Sequence, residues 1–124
     1  MKKYKEIHKD NLKKNKFNFR DPFLIDEQYS SEEIMVRNTA RNFAEKELLP
    51  KIVDANRHEK YDKDIFLKFG KMGFLGSQIS GYGCAGISSV GYGLISKEIE
   101  AVDSSYRSSI SVQSSLVMQP IYDF

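Results

Sequence analysis

Beyond residue 30, apolar positions begin to recur at helical spacing. Val36, Ala40, Phe43, Ala44 and Leu48 stand three to four residues apart, which places them on one face of an α-helix. Just upstream, Ser30 and Glu33 have the spacing of a capping box, whose two side chains each satisfy a backbone N–H at a helix start. Pro50 is expected to end or kink this helix, because proline lacks an amide hydrogen and crowds the preceding turn. A second short helix is expected through Ile52 and Val53 toward His58. Asp62 or Asp64 can cap a third, with Ile65, Phe66, Phe69 and Met72 as its apolar stripe and Gly73 as its stop.

Gly73, Gly76, Gly81, Gly83 and Gly86 predict a loop up to about residue 86. From Ser88 the helical spacing returns with Val90, Leu94, Ile95, Ile99 and Val102. Gly91 and Gly93 inside this helix each cost about 1 kcal/mol relative to alanine, which points to close approach by another backbone or a ligand. Asp103, Ser104 and Ser105 break the pattern, and a last helix is expected from Tyr106 toward Met118, interrupted near Pro120. No stretch alternates like a strand, so the fold class is all-α. Asp21-Pro22 separates a basic arm, 1–20, from a helical domain, 21–124, with Phe23, Leu24 and Ile25 as a short apolar anchor. The chain closes on Ile121-Tyr122-Asp123-Phe124, without a glycine stop or a charged tail, and reads as cut inside a longer protein.

Composition narrows the function classes. Apolar residues are 40% and charged residues 29% of the 124, as in an ordinary globular domain. Seven lysines fall within residues 1–16, with no arginine or stacking pattern among them, so the arm reads as a solvated terminus and not a nucleic-acid reader. Cys84 is the only cysteine, which excludes an intrachain disulfide. No run of about 18 apolar residues is present, so no membrane span is expected, and the chain is read as cytoplasmic.

Among candidate motifs, Gly81-Tyr82-Gly83-Cys84-Ala85-Gly86 spells a dinucleotide fingerprint, but no strand precedes it, and no lysine follows as a Walker loop requires. Cys84 has no recognisable base beside it and is read as a structural thiol; His8 and His58 have no metal-ligand spacing. The segment KEIEAVDSSYRSSISVQ, 97–113, carries more chemistry. Arg107 lies seven residues after Glu100 among Ser104, Ser105, Ser108, Ser109 and Ser111. A planar guanidinium amid hydroxyls suits a small dicarboxylate; the spacing by itself favours a surface ion pair beside a serine-rich helix start.

The strings GYGCAGISSVGYGL, VDSSYRS and SVQSSLVMQPIY, in that order and spacing, resemble the N-terminal domain of glutaryl-CoA dehydrogenases, within the acyl-CoA dehydrogenase family. FRDPF, ELLPKI and ANRHE agree more loosely, so the resemblance covers roughly residues 17–124. The sequence departs from it at Ser105, Ser109, Ile110 and Gln119, where glycine, alanine, methionine and histidine are expected. The resemblance implies the N-terminal helical domain of an FAD enzyme, truncated before its β domain. Such an enzyme oxidises and decarboxylates glutaryl-CoA to crotonyl-CoA, passes electrons to electron-transfer flavoprotein, and assembles as a homotetramer. Its catalytic glutamate and most of its FAD site fall outside these 124 residues, which implies a chain inactive alone. Arg107 maps onto the arginine that holds the free carboxylate of the glutaryl chain, with Ser108 beside it and Glu100 as its polar partner. The alternative is a non-catalytic helical interaction domain, or a relic of such an enzyme.

Overall fold

Helical spacing in the sequence is met by helices in space, but two of them run further than their prolines suggest. The computed structural model describes residues 17–19 and 21–124, so most of the basic arm and His8 lie outside the described residues. The chain divides into two compact units, Met1–Ser30 and Ser31–Phe124.

In the first unit, the Asp21 carboxylate accepts hydrogen bonds from the backbone N–H of Ile25 (2.8 Å) and Asp26 (2.9 Å), fixing a single 3-10 turn, Ile25–Gln28. In this unit Phe23 is 80% exposed, and the turn has no buried residue.

In the second unit, α1 (Ser31–Phe43) passes through a widened π turn, Ala44–Leu48, into α2 (Leu49–Arg57), so Pro50 does not end the helix. The Leu49 N–H reaches back five residues to the Ala44 carbonyl. A proline has no N–H to offer the carbonyl four residues earlier and its ring crowds that oxygen. A wider turn placed immediately before it takes up the mismatch. The C-terminal helix repeats the device: α5 (Ser104–Ser111), a π turn Val112–Met118, then α6 (Gln119–Asp123) carrying Pro120 in its first turn. There the Gln119 N–H reaches the Ser114 carbonyl.

Between these lie α3 (Ile65–Lys71) and α4 (Ser89–Glu100). The stop of α3 is a Schellman motif. Gly73 is left-handed (φ 72°) and its N–H donates to the Gly70 carbonyl at 3.0 Å, while the Phe74 N–H donates to the Phe69 carbonyl, also at 3.0 Å. The Phe69 and Phe74 rings then meet at 6.5 Å, the apolar contact that accompanies such an end. Of the expected stripe, Ile65 and Phe69 are buried, whereas Phe66 and Met72 stand out toward solvent. A seven-residue helix has room to bury only one i, i+4 pair on a single face. In α4, Val90 in the first turn is exposed while Leu94, Ile95 and Ile99 are buried.

The core gathers Ala40, Phe43, Ala44 and Leu48 against Ile65, Phe69, Phe74, Ile95, Ile99 and Ile110. Phe43 and Phe74 meet edge-on at 5.5 Å, and Phe69 meets Tyr106 at 6.4 Å, so rings from four segments share one cluster. Truncating a fully buried phenylalanine in such a cluster costs about 3–5 kcal/mol. α1 packs along α4, and α4 along α5. Gly91 faces the Ile87 side chain, and nothing stands within 4 Å of where a Gly93 side chain would go, so among the described residues no second backbone approaches either glycine. Gly76 is different: it is left-handed (φ 58°), and a side chain there would collide with Met118.

Candidate functional site

The site forms where α4 hands over to α5. Ser88 starts α4 by accepting the Gly91 N–H (3.0 Å), and its hydroxyl donates to Glu33 on α1 (2.8 Å), which fixes where the helix begins. The helix ends at Glu100, and Val102 and Asp103 turn back by donating to the Ile99 carbonyl at 3.0 and 3.2 Å. Asp103, expected as a break, is the N-cap of α5: its carboxylate accepts the Ser105 N–H (2.8 Å) and the Ser105 hydroxyl. These bonds, the hydroxyl first, hold the Asp103 carboxyl below its ordinary range. The helix therefore starts at Ser104, two residues before the expected Tyr106, because an aspartate at this point opens a helix as readily as it interrupts one.

This tight corner brings Glu100 and Arg107 together. Arg107 Nε donates to Glu100 Oε2 at 2.5 Å, and the Ser104 hydroxyl donates to the other oxygen, Oε1, at 2.6 Å. One turn further along α5, Arg107 Nη1 donates to the Ser111 hydroxyl at 3.3 Å, and that hydroxyl donates to the Ser108 carbonyl at 3.1 Å. The Ser104 hydroxyl and then Arg107 lower the Glu100 carboxyl below its ordinary range. The side chains are partly open, 37% exposed for Arg107 and 42% for Glu100.

The expected set of hydroxyls around Arg107 is thereby sorted. Ser111 contacts the guanidinium, Ser104 contacts Glu100, Ser105 completes the cap, and the Ser109 hydroxyl donates to the Ser105 carbonyl at 2.9 Å. Ser108 lines a neighbouring groove of about 380 Å³ with Phe66, Ser105, Ser109, Val112 and Gln113. Sequence reasoning grouped Ser104 and Ser111 with the rest; their separate duties had a signal in the four-residue offsets from Glu100 and from Arg107.

A second arginine–glutamate pair lies two residues upstream on α4. Arg41 from α1 grips Glu98 with Nε at 2.9 Å and Nη2 at 3.0 Å, and the Glu98 side chain is only 8% exposed. Cys84 is half-buried and lines an apolar groove with Ile79, Tyr82, Met118, Ile121 and Tyr122. Among the described residues no group of three or more His, Cys, Asp or Glu could hold a metal ion, and no helix is long and apolar enough to cross a membrane.

The chain belongs to the acyl-CoA dehydrogenase family: residues 30–124 match the family described as acyl-CoA dehydrogenase, N-terminal domain. It is 38% identical to a glutaryl-CoA dehydrogenase from Mycobacterium smegmatis solved in complex with FADH2, with a TM-score of 0.78, over 81% of this chain and 26% of that one. A second structure of glutaryl-CoA dehydrogenase from that organism gives 39% identity and a TM-score of 0.75 over the same shares. Among curated relatives, it is 30% identical to an acyl-CoA dehydrogenase of Bacillus subtilis (strain 168) over 77% of this chain and 25% of the relative. It is 33% identical to the mitochondrial short-chain specific acyl-CoA dehydrogenase of Mus musculus over 73% of this chain and 22% of the relative. The chain thus spans about a quarter of the length of the curated relatives it matches. The all-helical architecture, with no strand among the described residues, is that of the family's N-terminal domain.

Proposed function

We propose that this chain is the N-terminal helical part of an acyl-CoA dehydrogenase that oxidises and decarboxylates glutaryl-CoA, and that Arg107 takes the free carboxylate of the substrate. The observation that carries the reading is the state of the Arg107 fork. Its Nε edge is held by Glu100 and one Nη1 hydrogen by Ser111, and the side chain is 37% exposed. A guanidinium presented this way accepts a carboxylate through two parallel hydrogen bonds. An uncharged acyl chain would leave those donors unpaired once the site closes, which is how a polar site rejects an analogue that lacks the matching group. Glu100 and Ser108 complete the proposed substrate contacts, Glu100 by orienting the arginine and Ser108 from the adjoining groove.

The Gly81–Gly86 spelling lies in a loop with no strand before it among the described residues, so it offers no pyrophosphate seat of the dinucleotide-binding kind. On this reading FAD and the base are held by parts of the enzyme outside this chain. Electron-transfer flavoprotein as acceptor, a homotetramer and a cytoplasmic setting complete the proposal.

The test uses the full-length protein that carries this chain. Arg107→Ala is expected to lower kcat/KM for glutaryl-CoA relative to butyryl-CoA by about a hundredfold. Equal losses on the two substrates would sink the assignment.

A further inference from the structure

We infer that Ser104 is a positioning residue for substrate selection: its hydroxyl holds Glu100 on the Nε edge of Arg107 and so keeps the outer edge of the guanidinium free for the substrate carboxylate. The inference rests on the carboxylate reading of Arg107 given above.

Three observations carry it. First, both Glu100 oxygens are engaged, Oε1 by the Ser104 hydroxyl at 2.6 Å and Oε2 by Arg107 Nε at 2.5 Å, so the carboxylate has one orientation. Second, the Ser104 hydroxyl is not needed to start α5, because Asp103 already caps that helix. Third, Glu100 is the last residue of α4 and its side chain is 42% exposed, so its hydrogen bonds are its main restraint.

The consequence follows from the geometry of the fork. An arginine can receive a carboxylate on the Nε–Nη edge or end-on across Nη1 and Nη2. A Glu100 released from Ser104 is free to swing toward the Nη groups, and there it competes with the substrate for the donors that select it. A hydrogen bond to a charged group is strong enough to decide between two such poses.

The experiment compares Ser104→Ala, Ser104→Thr and Arg107→Ala in the full-length protein, with glutaryl-CoA and butyryl-CoA as substrates. Ser104→Ala is expected to raise KM for glutaryl-CoA about three- to tenfold, with kcat within about twofold and butyryl-CoA kinetics unchanged. Ser104→Thr, which keeps the hydroxyl, is expected to restore KM. A merely structural serine would shift both substrates together or lower the unfolding temperature. If Arg107→Ala abolishes the preference for glutaryl-CoA but Ser104→Ala leaves KM unmoved, the positioning role is overturned while the carboxylate reading stands. If Arg107→Ala leaves the preference intact, both fall.

Discussion

Glu98 and Glu100 stand two residues apart on α4, and each pairs with an arginine, yet the two pairs do different work. Glu98 faces α1, is almost wholly buried, and is gripped through two hydrogen bonds by Arg41, 57 residues away in sequence. Glu100 faces outward at the helix end and meets Arg107 only seven residues on, across one corner. A desolvated carboxylate must be matched, so the first pair specifies how α1 sits on α4. An exposed pair adds little to stability; what it can do is hold a fork in one orientation with its remaining donors available. Helix phase alone separates the two roles, since a step of two residues turns the side chain by about 200°.

The largest expected effect comes from breaking the inner pair. Arg41→Ala strands the Glu98 carboxylate in the core and should lower the unfolding free energy by about 3 kcal/mol in urea titrations. A loss below about 1 kcal/mol would mean that water reaches Glu98 and that the pair is not structural. Arg107→Ala, so damaging for selectivity, should by contrast move the unfolding midpoint by no more than about 2 °C. A large drop there would erase the contrast between the pairs. Salt should divide them next. In double-mutant cycles the Arg107–Glu100 coupling should fade between about 0.05 and 0.5 M NaCl, whereas the Arg41–Glu98 coupling persists.

The smallest effect is a titration. Glu100 is held below the ordinary carboxylate range by the Ser104 hydroxyl first and Arg107 second, with desolvation and then Asp103 opposing. A depressed folded value means its contribution is complete above the ordinary carboxylate range and is lost as pH falls through the lowered one. Ser104→Ala should therefore move the Glu100 inflection upward in carbon-detected NMR, and an unmoved inflection would show that the hydroxyl is not its main cause.

Much of the fold was legible because burial follows period. Ala40, Phe43, Ala44 and Leu48 are buried together as their spacing requires, and Gly73 stops α3 through a left-handed turn. The prolines mark where each helix is disturbed, but not how: Pro50 is expected to end or kink its helix and Pro120 to interrupt the last one, and the widened turns that accommodate them depend on a local change of period that no single residue type marks. Phe66, Met72 and Val90 show the limit of apolarity as a guide: the neighbours in space decide which apolar side chains are covered. Glu98 could have been suspected, since it shares a face with Gly91, Leu94 and Ile95, but its partner lies on another helix and no local spacing names it. At the site, the spacing brought Glu100 and Arg107 within reach, whereas the division of labour among five serines depended on the Asp103 corner.

The widened turns also bear on how such a chain tolerates insertion and deletion. Each π turn spends one more residue per turn than the helix around it, so residue count there is as much a structural variable as residue identity. A substitution within Ala44–Leu48 leaves the downstream face where it was. Removing one residue would close the wide turn to a regular one and set Pro50 against a carbonyl with no slack to yield. Alignments of related sequences should accordingly show varied letters but constant length through both segments.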